Sequence, residues 1–438
     1  MNFIYDYCGG LADKMRFGKW QLLLLPALFC VIGLYIEIST LNGASIPFKS
    51  LAVKNMLVPL VFFIAGFILP VSIWRRYAVR FSYNMRVLWN NDGFSFAFLL
   101  ILFSLFLQAF AIWGDSDWDK VYVAELGGSY TAAMLKAVAG FKNEIVMLKR
   151  QITLGGFTFQ VGEFVKIFFM IFVAKMLTDM RIKRQIRFCK QFFTLPFMAI
   201  FPIAFMTALM PNYSMIMIYL MILFFMIFVQ KMDFKLRAFL ILVLLIPVAI
   251  ALSISKLDKE SSLVQVHGVN RVWAYFSEEG VGNEQQNEAL QAMADGGIIG
   301  KGLDKGTIKL RLFGARNDFA FSILGEELGL WLMIPITIAM MGFLFACFWV
   351  AAGVWTSGEE VPRRREEKDT LLAQNIAWGA SIIFALNIFL HIGVNLKLLP
   401  NTGQPLSFVS SGGANLAGNF FLMGMLVQIS ALRREEWK

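Results

Sequence analysis

Long apolar runs separated by short polar connections dominate this chain. A helix needs about 20 residues to cross a bilayer, and on that measure the runs predict ten membrane-spanning helices. Their approximate ranges are 20–37, 57–74, 94–113, 161–180, 191–209, 214–230, 236–254, 328–352, 372–394 and 414–432. No small-residue cleavage pattern follows the first run, which favours a span over a removed signal peptide. The predicted fold class is an all-α polytopic membrane protein, with residues 1–438 forming a single transmembrane domain.

Composition supports this class. The chain is 58% hydrophobic and 16% charged, whereas about a quarter of the residues in soluble domains are charged. The net charge of +10 comes from Lys and Arg clusters beside the spans, so it indicates membrane anchoring and no nucleic-acid partner. The four Cys form no CxxC pair and only two His occur. These counts argue against a disulfide framework, a zinc site and a His-based metal centre.

Basic residues mark every second connection, and they predict the orientation. They follow the second, fourth, sixth, eighth and tenth predicted spans, at 75–80, 181–190, 231–237, 363–368 and 433–434. Cytoplasmic loops carry the excess of Lys and Arg, so both termini are predicted to be cytoplasmic. This alternation closes only with an even number of spans, which favours ten.

The opposite, extracytoplasmic side receives the long connections. They are 114–160, 395–413 and the largest, 255–327, which joins spans seven and eight. Long loops usually carry function or are disordered. The chemistry of this chain is therefore expected on the extracytoplasmic side.

The segment from Pro400 to Asn415 is too rich in Pro, Gly and Ser to form a helix, although apolar runs flank it on both sides. Irregular backbone at a membrane must be buried in protein or line a wet cavity. Ser410 and Ser411 offer hydroxyls there, so the segment is predicted to help bind a polar ligand. The alternative is a re-entrant turn that only connects two helices.

Glu163 and Lys166 stand three residues apart near the outer start of the fourth predicted span. At this spacing they share one helix face and can pair. Ionisable groups inside a membrane are costly and usually functional. The alternative is a structural ion pair that locks two helices.

The largest loop contains several charged candidates. Glycines between residues 296 and 306 flank Lys301 on both sides, and Lys309 and Arg311 follow them. Backbone N–H groups and cations of this stretch could therefore bind a phosphate together. Glu278 and Glu279 are simplest to interpret as solvated carboxylates. Asp318 begins a further acidic stretch. It ends in Glu326 and Glu327, at the predicted start of span eight. These two acids could have a function in the site, or they could simply stabilise the helix through its dipole.

Together these segments resemble the SEDS family (shape, elongation, division and sporulation), the FtsW/RodA group of bacterial cell-wall polymerases. The resemblance runs from about residue 145 to the C-terminus and is closest to the division-type FtsW branch. The stretches that carry it are Arg150-Gln-Ile152, Gln160-Val-Gly-Glu-Phe-Val-Lys166, Gly300-Lys-Gly-Leu-Asp-Lys-Gly-Thr-Ile-Lys309, Asn317-Asp-Phe-Ala-Phe321, Gly325-Glu-Glu-Leu-Gly329 and Leu399-Pro-Asn-Thr-Gly-Gln-Pro-Leu-Ser-Phe-Val-Ser-Ser-Gly-Gly413.

Two positions depart from the family pattern. The family has an acid between spans five and six where this chain has Asn212, and no Asp stands between Arg271 and Glu279, the region where the family has its essential Asp. Counting back from the Gly-Lys-Gly run places Glu278 at that position. Counting forward from Arg271 with a gap allows Glu279, Asn283 or Glu284 instead.

The resemblance implies peptidoglycan glycan polymerisation, in which a hydroxyl of one lipid-linked disaccharide attacks an undecaprenyl-diphosphate sugar and the lipid diphosphate leaves. It implies Glu278 or Glu279 as the base. It further implies a diphosphate- and substrate-binding set, Arg150, Lys166, Arg271, Lys301, Lys309, Arg311, Ser410 and Ser411, and an orienting set, Glu163, Asp318, Glu326 and Glu327. A divalent cation, Mg²⁺ or Mn²⁺, could stabilise the diphosphate.

The implied setting is the bacterial cytoplasmic (inner) membrane, with membrane lipid, division proteins and a class B penicillin-binding transpeptidase as partners. Two other functions stay open. Broken helices and a buried Glu–Lys pair also suit a transporter, or flippase, of the lipid-linked precursor. The missing Asp and Asn212 also permit a weakly active scaffold for the transpeptidase.

Overall fold

The structure is a computed structural model, and it describes residues 19–39, 57–69, 73, 77–80, 93–95, 102–108, 151–154, 157–182, 203, 213–230, 238, 281–312, 315–353, 365–410 and 413–432. The helices are α1 (Lys19–Ser39), α2 (Val58–Ile68), α3 (Val161–Ile182), α4 (Tyr213–Phe228), α5 (Val281–Gly296), α6 (Ile308–Arg311), α7 (Ala315–Asp318), α8 (Ala320–Gly353), α9 (Arg365–Asn395) and α10 (Gly413–Leu432). The strands are β1 (Tyr77–Arg80), β2 (Gly93–Ser95), β3 (Gln151–Leu154) and β4 (Phe157–Gln160).

The fold is predominantly helical, as predicted, with two small additions. Strands β1 and β2 form one antiparallel pair, and β3 and β4 form another. In the second pair Gln151 faces Gln160 and Leu154 faces Phe157. Ile, Thr and Phe favour the extended backbone, and their alternation here explains why a hairpin precedes α3. The all-α prediction did not include these strands.

The described helices coincide with several predicted spans. Two of them, Ala320–Gly353 and Asp369–Asn395, are long and apolar enough to cross a membrane, and Leu22–Ile36, Val58–Ile68 and Ser214–Phe228 are shorter apolar helices. Helices α3 and α10 lie where the fourth and tenth spans were predicted. The fifth and seventh predicted spans fall outside the described residues except for single positions. The count of ten therefore stays a prediction.

The core of the helical bundle forms around α9, which packs against α3, α4, α8 and α10. Among the described helices, α2 and α10 have the most extensive contact. A side chain at Gly66 would overlap the carbonyl of Phe421, and one at Gly424 would overlap that of Phe63. Small residues let helix backbones approach each other in membranes, so these two glycines determine the spacing of the pair.

The predicted loop 255–327 contains a helix that the sequence pattern did not indicate. Its polar run 282–288 belongs to α5, while residues 255–280 lie outside the described part. Gln286, Ala289 and Ala292 form the buried face of α5. The Gln286 Nε2 donates to the carbonyls of Val394 and Leu399, at 2.8 Å each. These bonds attach α5 to the end of α9.

Helix α8 begins eight residues before the predicted start of span eight and changes direction at Gly329. That residue has φ 67° and ψ −179°, a left-handed conformation that glycine adopts without a steric penalty. The backbone N–H groups of Leu330 and Trp331 donate to the carbonyls of Gly297 and Ile298, both at 3.0 Å. The kink therefore makes room for the end of α5 and the glycine loop that follows it.

Candidate functional site

Glu326 and Glu327 lie in the last turn of α8 before the kink, and both are buried, with 0% and 1% exposure. They are the seventh and eighth residues of a helix that begins at Ala320. A helix dipole acts on charges within the first or last turn. The helix-dipole interpretation of these two acids is therefore wrong, because they lie beyond the first turn.

Glu326 receives four donors from one short loop. The Lys301 ammonium lies 2.8 Å from its Oε1, and the Thr307 backbone N–H and hydroxyl donate to the same oxygen at 2.9 and 3.0 Å. The Ile308 N–H donates to Oε2 at 2.9 Å. Hydrogen bonds to charged groups are about twice as strong as neutral ones, so this carboxylate holds the 301–308 loop against α8.

Glu327 is surrounded in the same way, with one donor from a distant helix. Lys309 donates to Oε1 at 2.9 Å, and the Gly306 N–H donates to that oxygen at 3.3 Å. The Tyr35 hydroxyl of α1 donates to Oε2 at 2.5 Å, and the Asp304 N–H at 3.3 Å. We call Glu326, Glu327 and their loop donors the carboxylate anchor.

The sequence predicted that the glycine-rich stretch around Lys301 could bind a phosphate, but in the carboxylate anchor its donors are already occupied. The N–H groups of residues 306–308 and the ammonium groups of Lys301 and Lys309 do converge on an anion, but that anion is the chain's own pair of carboxylates. The hydrogen bond with Glu326 raises the pKa of Lys301. Burial lowers the pKa of Lys309, but its bonds to Asp304 and Glu327 outweigh burial and the net shift is upward. Arg311 is exposed.

The 401–410 segment is irregular, as predicted, and only its last four residues form a turn before α10. Ser410 is buried inside it. Its hydroxyl donates to the Asn317 carbonyl at 2.7 Å and accepts the Leu406 N–H at 2.8 Å. The hydroxyl has one proton, which Asn317 already receives, so Ser410 cannot donate to a ligand in this arrangement. Ser410 therefore closes the turn in this arrangement, and its role in substrate binding stays a prediction.

Asp318 lies where α7 meets this segment. Its carboxylate faces Gly403, at which an added Cβ would stand 3.6 Å from Oδ2. Its backbone carbonyl accepts a bond from Asn395 Nδ2 at 3.1 Å. Asn395 also accepts the Ser322 hydroxyl at 2.6 Å. The Asn317–Phe321 stretch is thus fixed between the irregular segment and the end of α9.

Glu163 and Lys166 form the predicted ion pair in the first turns of α3. Lys166 Nζ lies 2.9 Å from Glu163 Oε2 and donates to Asn387 Oδ1 at 3.1 Å. Asn387 in turn donates to the Ser407 hydroxyl at 3.2 Å. Both charged side chains are buried. Glu163 Oε1 has no hydrogen-bond partner within the described part of the chain.

Sequence reasoning missed three polar residues of α9. His391 accepts the Phe321 N–H at Nε2 (3.3 Å), and its Nδ1 lies 2.8 Å from the Gln404 carbonyl. Asn387, His391 and Asn395 stand four residues apart and therefore share one helix face. A polar stripe at this spacing inside an apolar run is a detectable signal. Tyr35 in α1 had no comparable sequence signal.

Five predicted site residues lie outside the part whose side chains are described. They are Arg150, Arg271, Glu278, Glu279 and Ser411. Within the described residues, no group of three His, Cys, Asp or Glu side chains could hold a metal ion. The clustered carboxylates at 304, 326 and 327 already receive ammonium and N–H donors, so they do not fit a divalent cation.

Comparison with known proteins identifies the family. The sequence profile of the FtsW/RodA/SpoVE family, described as "Cell cycle protein", matches residues 53–435. The chain belongs to this family. The resemblance inferred from the sequence motifs is thereby confirmed. Members of the FtsW/RodA/SpoVE family are polytopic membrane proteins, and so is this chain.

Relatives within the FtsW/RodA/SpoVE family cover most of the chain. The protein of Thiomicrospira cyclica named "Probable peptidoglycan glycosyltransferase FtsW" is 30% identical over 301 residues, which is 68% of this chain and 71% of the relative. The protein of the same name from Borreliella burgdorferi is 30% identical over 290 residues, 64% of this chain and 71% of the relative.

Solved structures share the fold. A chain of a peptidoglycan synthase complex, solved to explain the structural coordination of polymerization and crosslinking, covers 96% of this chain and 99% of its own length, with a TM-score of 0.62 and 18% identity. The rod shape determining protein RodA of Thermus thermophilus covers 95% and 97%, with a TM-score of 0.54 and 16% identity. At this identity the likeness establishes the architecture of the helical bundle.

Proposed function

We propose that this protein is a peptidoglycan glycosyltransferase that polymerises lipid-linked disaccharide into glycan strands at the outer face of the cytoplasmic membrane. One observation carries the proposal. Separate segments that resemble the SEDS motifs are joined by direct hydrogen bonds. Lys309 donates to Glu327, and the Ser410 hydroxyl donates to the Asn317 carbonyl, 93 positions away. Relatives at 30% identity are named for this activity.

The reaction makes clear demands on the residues. A hydroxyl of one disaccharide forms a new C–O bond at the anomeric carbon of the other, the bond to the lipid diphosphate breaks, and the diphosphate leaves with the bonding electrons. A base must take the hydroxyl proton. We assign that role to Glu278 or Glu279, the carboxylates nearest to the position of the family's Asp. Holding both lipid-linked substrates in one site supplies the proximity contribution.

Cations must stabilise the leaving diphosphate, and the described residues differ in how available they are. Arg311 is exposed and the Lys301 side chain is 30% exposed, while the Lys309 side chain is 1% exposed and lies between Asp304 and Glu327. Arg311 and Lys301 are therefore our first candidates, together with Arg150 and Arg271. We assign Lys309 and Lys166 to the support of the site from behind it.

The proposed setting is the bacterial inner membrane, with ten spans and both termini in the cytoplasm, as the distribution of basic residues favours. We propose a class B penicillin-binding transpeptidase as partner, because this chain resembles a subunit of a peptidoglycan synthase complex. The names of its relatives favour a role in division with division proteins. A divalent cation, Mg²⁺ or Mn²⁺, could assist the diphosphate, and chelation followed by titration of each metal would test this.

The deciding experiment gives purified protein labelled lipid-linked disaccharide, with and without the transpeptidase. Glycan polymer from the protein alone supports the glycosyltransferase. Movement of the lipid across vesicles without polymer would support a transporter, and polymer that requires only the partner's active site would support a scaffold. The scaffold is the second candidate because Asn212 and the lack of Asp between Arg271 and Glu279 depart from the family pattern.

The base is tested within the same assay. Replacing Glu278 and Glu279 together by Gln keeps size and removes both proton acceptors. We expect polymer synthesis to fall by about 100-fold or more, as is typical when a general base is lost. Unchanged synthesis would exclude both residues as the base. Glu288→Gln, an exposed position on α5, is the matched control and should retain activity.

A further inference from the structure

We infer that Tyr35 is a positioning residue for the candidate site, and that α1 fixes the two irregular segments of this site relative to each other. These segments are the 300–312 loop and the 401–410 segment. The inference rests on the proposed glycosyltransferase function for its kinetic test, but its structural test stands alone. Helix α1 precedes residue 53, where the match to the family profile begins, so no shared motif assigns it this role.

The first observation is the hydroxyl of Tyr35. It donates to Glu327 Oε2 at 2.5 Å and accepts the Asp304 backbone N–H at 3.0 Å. The same N–H also reaches Glu327 Oε2 at 3.3 Å. The Tyr35 hydroxyl, the Asp304 N–H and the Glu327 carboxylate therefore bond to one another. Together they connect α1 to the turn of the loop and to the carboxylate anchor. A Phe at this position would keep the ring and lose both bonds of the hydroxyl, to Glu327 and to the Asp304 N–H.

The second observation lies two residues earlier in α1. Gly33 packs directly on the other irregular segment, because an added Cβ would stand 3.0 Å from the Phe408 carbonyl oxygen and closer still to that of Val409. Phe408 has a φ of 64°, so the backbone it presents there is a strained turn. Contact between backbones at this distance is possible only when one residue is a glycine.

These two contacts lie close together on one rigid element. Residues two apart in an α-helix are separated by about 3 Å along its axis. Helix α1 therefore touches the 408–409 turn and the carboxylate anchor at the same level of the bundle. Any shift of α1 would displace both segments together. This explains how two loops distant in sequence keep one geometry.

Tyr35 acts through other groups. Its single proton is donated to Glu327, and the hydroxyl oxygen receives Asp304, so the residue orients the loop that carries Lys301 and Arg311. A positioning role predicts a specific kinetic pattern. Substrates should still bind, while the geometry needed at the moment of transfer should be lost.

The test compares Tyr35→Phe with Leu28→Ala, a change on the exposed face of the same helix. In the polymerisation assay Tyr35→Phe should lower kcat by about tenfold or more, the size expected when a hydrogen bond to a charged group is lost, with KM nearly unchanged. Leu28→Ala should leave both constants within about twofold. Equal constants for wild type and Tyr35→Phe would overturn the inference.

A second measurement needs no enzymatic activity. Lys305 is exposed in the turn that Tyr35 holds, and trypsin cleaves after it only when the loop opens. Tyr35→Phe should raise the cleavage rate at Lys305 several-fold at an unchanged global melting temperature, and Leu28→Ala should not. Identical cleavage in all three proteins would refute the positioning role.

The double variant Tyr35→Phe/Glu327→Gln separates a shared role from two independent ones. Since the two side chains act on the same loop, cleavage in the double variant should equal that of Glu327→Gln alone. Multiplicative effects would contradict the inference. If wild-type protein makes no glycan, the proposed function fails, while the cleavage rates still decide the role of Tyr35.

Discussion

Two buried Glu–Lys systems in this protein differ in how completely their acceptors are used. In the carboxylate anchor, Glu326 and Glu327 each receive four hydrogen-bond donors. In the pair on α3, Glu163 uses Oε2 for Lys166, while Oε1 is buried with no partner among the described residues. Both systems pair a carboxylate with an ammonium, yet only the first is saturated.

The difference predicts a structural role for the carboxylate anchor and a functional role for Glu163. A fully satisfied buried network makes the local structure rigid, while an unsatisfied acceptor is costly and needs an explanation. The carboxylate anchor is therefore best explained as the attachment of a loop. Glu163 Oε1 has no such donor among the described residues, and from this we predict a functional role for that carboxylate. The following predictions test this contrast, from the largest expected effect to the smallest.

Removing a saturated carboxylate should have the largest effect. Glu326→Leu leaves the Thr307 and Ile308 N–H groups without their acceptor and Lys301 without its buried partner. We expect the free energy of unfolding to fall by about 3–5 kcal/mol, measured by thermal unfolding in detergent, with loss of glycan synthesis. Asp295→Asn changes the exposed partner of the same lysine and should leave the melting temperature nearly unchanged, because solvent screens an exposed ion pair. Equal losses in both variants would contradict the anchor.

Breaking the pair on α3 should be nearly as severe. Lys166→Met leaves the Glu163 carboxylate buried without its cation, which typically costs about 3–5 kcal/mol. The double variant Lys166→Met/Glu163→Gln removes both charges and should recover most of that loss. Thermal unfolding and expression level measure both variants. If the single change were as mild as the double one, the pair would contribute no buried electrostatic energy.

The kink of α8 at Gly329, which brings the carboxylate anchor to its loop, is tested by changing that glycine. Gly329→Ala places a side chain where φ is 67° and where the backbone of residues 298–300 already lies. We expect a destabilisation of about 1–3 kcal/mol from the backbone alone, with more from the overlap. Gly342→Ala, in open space on the same helix, should be neutral or stabilising by under about 1 kcal/mol. A tolerated Gly329→Ala would mean that α8 can run straight.

The functional role predicted for Glu163 is tested by Glu163→Gln, which keeps the shape and a carbonyl for Lys166. Gln still accepts a hydrogen bond from Lys166 but no longer neutralises its charge, so part of the stability is lost, while glycan synthesis should fall by more than that loss explains. The same substitution at Glu326 should show the reverse ranking, with the larger change in stability. Were Glu163→Gln fully active, the unpartnered oxygen would have no functional meaning.

The smallest effect concerns pH. The pKa values of Lys301 and Lys309 are raised above their ordinary value of 10.5. A raised pKa means that the stabilisation is fully present below pH 10.5 and is lost as pH rises through the folded-state value. The melting temperature difference between wild type and Lys301→Met should thus be constant from pH 7 to 9 and shrink above 10.5. A difference that already shrinks near pH 8 would contradict the raised pKa.

Much of the helical framework could be predicted from local pattern. The ranges predicted for the fourth, sixth and tenth spans agree with α3, α4 and α10 to within about two residues, because a long apolar run has few other stable solutions in a bilayer. The Glu163–Lys166 pair was also predicted, since its members are neighbours on one helix. Helix α5 was missed because its polar sequence hides a narrow apolar face.

The site was predicted only in part, and the reason is physical. The sequence by itself determined that acids, cations and an irregular segment would collect at one side of a helical bundle, because spacing and hydropathy are properties of neighbouring residues. Only the tertiary structure decided which donor meets which acceptor. Tyr35 and Glu327 lie 292 positions apart and still share a hydrogen bond. A contact of that kind depends on how whole helices pack, and no local pattern encodes it.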